Sequence, residues 1–157
     1  MIETERLYEI VKKLRSEEGC PWDRQQTHES LKPECIEEAA EVISGINILE
    51  ATGDADNLKE ELGDLLLQVM FHSVIAEEEG LFSFDDVASA VSEKMIRRHP
   101  HVFSGVKYGS KEEQHAAWEA IKKKEKDGKE WHESYLKDAF NESKALIDKA
   151  KERKGYI

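Results

Sequence analysis

Between Leu58 and Val74 the chain reads as a helix that is apolar on every side but one. On a wheel at about 100° per residue, Leu62, Leu65, Leu66, Leu67, Val69, Met70, Phe71 and Val74 cover most of the circumference. Glu61, Asp64, Gln68 and His72 share one stripe, between about 240° and 320° from Leu58, with Phe71 at one edge and Leu65 at the other. A helix apolar nearly all round is a buried helix, so this stripe carries its two acids into partly buried ground. Lys59 and Glu60, near the start, stay wet. Such a segment needs other helices to cover it and something to meet its acids.

The rest of the chain supplies helices. Apolar residues recur at helical spacing throughout, and no alternating run is long enough for a strand. The first helix is expected over 3–18, with Leu7, Ile10, Val11 and Leu14 on one face, before Gly19-Cys20-Pro21-Trp22-Asp23 breaks it. A second is expected over 30–51, with Pro33 tolerated in its first turn and Gly53 as its cap. The third, carrying the acid stripe, runs from Asp54 to Gly80, and a fourth from Ser83 to just before Pro100. Residues 99–109 read as a loop. Ser110 and Glu113 form a capping-box pattern opening a fifth helix, and a charged helix covers 133–153. The expected fold is all-α, an antiparallel helical bundle. The third helix has more apolar surface than one hairpin covers, which predicts a homo-oligomer, a dimer first.

Charge narrows the function classes. The chain has 157 residues, one domain's worth, with 34 Asp and Glu against 23 Lys and Arg, for a net charge of −11. That balance argues against a nucleic-acid partner, which needs a basic surface to release counterions. Residues 1–106 carry the acidic excess, and residues 107–157 are close to neutral. No apolar run approaches the ~20 residues of a membrane span, so no membrane partner is expected. The charged start and the two isolated cysteines, Cys20 and Cys35, predict reduced thiols in a cytoplasmic protein.

The acids themselves are patterned. Glu37-Glu38-x-x-Glu41 lies on the second helix and Glu61-x-x-Asp64 on the third. Spacing of i, i+3 puts each pair on one face, and the turn at Gly53-Asp54 makes the two helices an antiparallel hairpin. Glu38, Glu41, Glu61 and Asp64 are then expected to converge. The bare pattern is weak in a chain so rich in Glu; the buried stripe gives it meaning. Two carboxylates ~4 Å apart repel by about 4 kcal/mol at an effective dielectric of ~20, so a shared pocket needs protons or a cation. All donors are hard oxygens, which suits Mg2+, or Mn2+, over zinc. Mg2+ held this way keeps open positions for substrate phosphates. A di-iron centre would want two Glu-x-x-His motifs, and only Glu112-x-x-His115 fits. His72 reads as a hydrogen-bonded core histidine. Lys94 and Arg98, i and i+4, share a face that could neutralise phosphates or simply be solvated. Trp22 and Trp118 either stack on a base or fill the core.

Several stretches resemble the MazG nucleoside triphosphate pyrophosphohydrolases: Gly19-Cys20-Pro21-Trp22-Asp23, Gln26-Thr27-His28-Glu29-Ser30-Leu31, Glu37-Glu38-x-x-Glu41, Glu60-Glu61-Leu62-Gly63-Asp64-Leu65-Leu66-Leu67-Gln68, Ile96-Arg97-Arg98-His99-Pro100-His101-Val102-Phe103 and Trp118-Glu119-x-Ile121-Lys122. The resemblance implies an all-α, usually dimeric fold and Mg2+-dependent hydrolysis of a nucleoside triphosphate to the monophosphate and pyrophosphate, a clearing of the nucleotide pool. It implies metal ligands at Glu38, Glu41, Glu61 and Asp64, phosphate contacts at Lys94 and Arg98, and a Trp118/Lys122 pair near the nucleotide. Glu37 or Glu38 would take the water's proton, a choice the sequence leaves open. The matching part is expected to be a domain over 1–126, with 127–157 a charged helical extension. Full-length MazG proteins carry two such domains in tandem, and residues 145–157 resemble the linker after the first. Two other readings stay open: a dUTPase-like or dCTP-cleaving enzyme with a selective base pocket, and a non-catalytic regulatory helical module.

Overall fold

The computed structural model describes residues 2–157, and every regular element among them is a helix. In chain order these are α1 (Glu3–Arg15), α2 (Pro21–Gln25), α3 (Lys32–Thr52), α4 (Asp56–Glu78), α5 (Phe84–Arg98), α6 (Pro100–Phe103), α7 (Lys111–Lys126) and α8 (His132–Lys154). The all-α reading holds. Two short helices stand where the sequence suggested irregular chain. Both α2 and α6 open on a proline, whose fixed φ suits a first turn and whose missing N–H has no partner to lose there. No helix among the described residues is long and apolar enough to cross a membrane.

The chain forms two compact units. One comprises residues 1–84 and 141–157; the other comprises residues 85–140. The expected boundary after residue 126 falls inside the second unit, where α7 ends.

The first unit is organised by the α3–α4 hairpin, its most extensive packing, with α1 laid on α4 and α2 on α1. Gly53 closes α3 in the left-handed region at φ +77°, and its N–H donates to Leu49 O at 2.8 Å. The helices approach closely at Gly45, where an added Cβ would sit 2.8 Å from Leu58 Cα. The core is Val11 of α1, Leu31 just before α3, and Met70, Phe71, Val74 and Ile75 of α4. Its long-range tie is Arg15, 8% exposed. The guanidinium donates to both carboxylate oxygens of Glu78, at 3.0 and 2.7 Å. It also donates to the carbonyls of Asp23 and Gln26, at 2.7 and 3.0 Å, and so pins α2.

The expectation that α4 is buried all round needs correction. Its second half supplies the core, but in its first half Leu62 is 50% exposed. α1 covers only the later turns, which is where Val11 meets Met70 and Val74.

In the second unit, α7 begins with Ser110, whose Oγ accepts from Glu113 N at 3.1 Å. The Glu113 carboxylate accepts from Gly109 N at 2.6 Å, one residue before the position a capping box uses.

Candidate functional site

The hairpin sets three carboxylates against one another. Oxygens of Glu38 on α3 and of Glu61 and Asp64 on α4 lie within 4.8 Å of each other. The antiparallel turn and the i, i+3 spacing on α4 are enough to produce this. Glu61 is held by Asn57, whose amide donates to Glu61 Oε1 at 2.8 Å. Glu38 has no such partner: its Oε2 is buried and makes no hydrogen bond. Burial pushes the Glu38 carboxyl up to about 7, and repulsion from Glu41, Asp64 and Glu61 adds to the rise.

The four-carboxylate convergence becomes three plus one. Glu41 stands outside the cluster and pairs with Lys154 at the end of α8. Its neighbour one turn back, Glu37, is buried and pairs with Arg153. Of the two acids that the sequence left as alternatives for proton transfer, Glu37 already has a cation and Glu38 does not. These α8 pairs span more than 110 residues of sequence, beyond the reach of any periodicity argument.

A bound divalent cation fits this donor set. Three carboxylates offer only hard oxygens, one of them an orphaned buried oxygen, and a cation there would relieve both the repulsion and the missing contact. A cleft of about 460 Å³ adjoins the cluster, lined among others by Glu37, Glu41, Asn57, Glu61, Lys151, Lys154 and Tyr156.

Further along the same seam lies a second polar group. His28 Nδ1 and His72 Nδ1 are 2.7 Å apart with their rings stacked, and Cys35 Sγ lies 3.2 Å from His72 Nε2. His72 is thus a hydrogen-bonded, half-buried histidine, as expected. Burial lowers its readiness to take a proton, and the neighbouring His28 lowers it further. Cys35 stays a thiol, because burial pushes it up and Glu34 adds to this.

The remaining candidates belong to other surroundings. Trp22 on α2 is 62% exposed and takes no part in the core. In the second unit, Lys122 Nζ sits 4.1 Å above the Trp118 ring and the Arg98 guanidinium 5.9 Å from it. Lys94 is half-buried one turn before Arg98 on α5. Arg98 donates twice to Glu125 Oε2, at 2.9 and 2.6 Å, and Arg97 donates to Glu125 Oε1 at 2.8 Å. Glu125 thus holds both arginines at the end of α5. The Arg98 hydrogen bond, joined by Arg97, holds the Glu125 carboxyl below its ordinary range. A pocket of about 590 Å³ beside Trp118 is lined by Arg98, His99, His101, Tyr108, Lys111, Gln114 and His115. The sequence singled out Arg98 and Trp118 of this wall. The other lining residues come from the α6 turn, the loop after it and the first turns of α7; His99 and His101 lie in a stretch that resembles the family and His115 in Glu112-x-x-His115, but no spacing rule joins them in one wall.

Comparison with known proteins agrees with the motifs. The MazG nucleotide pyrophosphohydrolase domain family matches residues 26–103, which include the α3–α4 carboxylates, Lys94 and Arg98. An uncharacterized Bacillus subtilis protein, YabN, is 47% identical over 141 residues, 90% of this chain and 27% of that protein. The nucleoside triphosphate pyrophosphohydrolase/pyrophosphatase MazG of Thermotoga maritima is 52% identical over 125 residues, 80% of this chain and 46% of that protein. The nucleoside triphosphate pyrophosphohydrolase of Escherichia coli K12 is 43% identical over 148 residues, 94% of this chain and 54% of that protein. The chain thus spans about a quarter to a half of the length of these relatives. With the hairpin, its carboxylates and the arginine pair of α5 all inside the matched region, the chain belongs to the MazG family.

Proposed function

We propose that this chain hydrolyses nucleoside triphosphates to the monophosphate and pyrophosphate with a divalent cation, Mg2+ or Mn2+, in the manner that the names of its Thermotoga and Escherichia relatives describe. The observation that carries this reading is the clustering of Glu38, Glu61 and Asp64 around an orphaned carboxylate oxygen. The cation would be held by Glu38, Glu61 and Asp64, with Glu41 as the fourth candidate ligand. When bound, it supplies a Lewis acid for phosphate oxygens and a more acidic water.

The chain's own groups account for the rest. A water attacks the α-phosphorus, the bond from that phosphorus to the bridging oxygen breaks, and pyrophosphate leaves. The water's proton goes to Glu38 in preference to Glu37, because Glu37 is already neutralised by Arg153. Lys94, Arg98 and Lys122 are the residues assigned to phosphate contacts. Trp118, flanked by two cations, is assigned to the nucleotide base, and Trp22, exposed, to the same role. The 1–126 region supplies these groups and 127–157 is its charged extension. The role is nucleotide-pool clearance in the cytoplasm. The exposed apolar residues Ile43, Ile46 and Leu62 of the hairpin support a dimer.

The test is a panel of the eight common ribo- and deoxyribonucleoside triphosphates, with Mg2+ and detection of pyrophosphate. Release of pyrophosphate without orthophosphate is expected, together with a loss of about 100-fold or more in Glu61→Gln and Asp64→Asn. One strongly preferred base would point to the dUTPase-like reading. No turnover of any nucleotide by folded protein would leave the non-catalytic module. Full activity in both variants would sink the site assignment.

A further inference from the structure

Five carboxylates stand along the α3–α4 seam, and the chain neutralises two of them itself. Arg153 pairs with Glu37 and Lys154 pairs with Glu41, both from the last turn of α8. The two pairs differ in character. Glu37 is 8% exposed and Arg153 is its hydrogen-bonded partner, so Arg153 answers a buried charge. Glu41 and Lys154 are each about one-third exposed at the side chain, in the open wall of the cleft that also contains Glu61. An exposed pair of this kind is weak and exchangeable. Glu41 lies one turn after Glu38 on α3 and lines the same cleft as Glu61, within reach of the three-acid cluster, and Lys154 is what occupies it.

We propose that Lys154 is a built-in competitor for the divalent cation. In the cation-free protein the ammonium holds Glu41, with Arg153–Glu37 as the fixed anchor of α8. When a cation enters at Glu38, Glu61 and Asp64, it recruits Glu41 and displaces Lys154, loosening the end of α8. Because the two cations share one carboxylate, each weakens the other's hold by the same factor, so α8 docking and metal occupancy are linked. The inference rests on the metal reading above and deepens it: the α8 segment sets how tightly the site is loaded.

The experiment uses Mn2+ alone, without nucleotide. Free Mn2+ is measured by its electron paramagnetic resonance signal during titration of wild type, Lys154→Met, Arg153→Met and Glu61→Gln. Lys154→Met is expected to bind Mn2+ about fivefold tighter or more, the lower end of ordinary coupling. Hydrogen exchange of residues 150–157 in wild type is expected to speed up on adding Mn2+. An affinity in Lys154→Met equal to or weaker than wild type overturns the proposal, as does exchange indifferent to Mn2+. If Glu61→Gln loses Mn2+ while Lys154→Met matches wild type, the metal reading stands and only the competitor falls. If wild type binds no Mn2+, both fall. Arg153→Met controls for loss of a cation from α8 without vacating Glu41; tightening equal to that of Lys154→Met would make the effect one of net charge and overturn the assignment to Lys154.

Discussion

The two halves of α4 are one continuous helix with opposite duties. From Gln68 to Ala76 it contributes seven buried residues, among them Met70 and Val74, which are 0% and 2% exposed. From Asp56 to Leu67 it contributes none, and instead presents Glu61 and Asp64 to α3 and leaves Leu62 half open. The first half carries five charged residues and the stretch from Gln68 to Ala76 none, but Leu62 is as apolar as the core residues and still stands open, so composition alone does not explain the difference. Coverage does: α1 reaches the second half, while the first half has α3 on one side. A helix can therefore anchor a core at one end and hold repelling charges at the other, and the first end supplies the stability that the second end spends.

The sharpest way to break this comparison is to truncate one residue in each half. Met70→Ala is expected to cost about 2–5 kcal/mol in urea unfolding, the range for a fully buried side chain replaced by Ala. Leu62→Ser is expected to change the unfolding of a dilute sample by less than about 0.5 kcal/mol. It should instead weaken self-association measured by light scattering, if that open face meets a second copy. Equal losses of stability in the two variants would show that the halves are not divided as described.

A smaller contrast lies in two helical glycines of the hairpin. At Gly45 a methyl group would collide with the backbone of Leu58, so Gly45→Ala is expected to cost about 1–3 kcal/mol by forcing α3 off α4. It should also spread the carboxylates and weaken Mn2+ binding. At Gly63 no atom lies within 4 Å of an added Cβ, and Gly63→Ala is expected to gain about 1 kcal/mol from helix propensity alone. Thermal melts of the two variants at one pH decide it, and a destabilising Gly63→Ala would mean that a partner surface occupies that open space.

What could be read in advance follows the same line. The helices, the hairpin, the i, i+3 acids and the polar stripe containing His72 are local patterns, and periodicity carries local information well. The short helices α2 and α6 were not legible, because four or five residues hold too little of a period. Nor were Arg153–Glu37, Lys154–Glu41 or the double hold of Glu125 on Arg97 and Arg98, since each depends on where distant segments pack. The wheel also overstated the burial of α4 around Leu62, because it knows which side is apolar and not what lies against it.

The finest contrast is the sign of the pH response at the two ends of the polar seam. Glu38 keeps its proton in the folded protein up to about 7, whereas an unfolded Glu releases it near 4.5. Between those values the folded state binds more protons, so this group makes stability fall as pH rises through that window. His72 works the other way. Burial, aided by His28, holds it neutral in the folded state, while the unfolded side chain takes up a proton near 6.5. Its contribution is present above 6.5 and is lost as pH falls from there through the lowered folded value. Below 6.5 the two slopes oppose each other, and between 6.5 and 7 only the Glu38 slope remains. Urea midpoints of metal-free protein at pH 5, 6.5 and 8 test this. Glu38→Gln should be more stable than wild type at pH 8 and closer to it at pH 5. His72→Asn should leave the Glu38 slope unopposed, so that its stability falls more steeply than that of wild type on going from pH 5 to 6.5. Both effects are small, because both groups are half-exposed and screened by solvent. A Glu38→Gln protein whose midpoint tracks wild type at all three values would mean that the acid cluster exerts no repulsion, and the case for a cation there would lose its electrostatic ground.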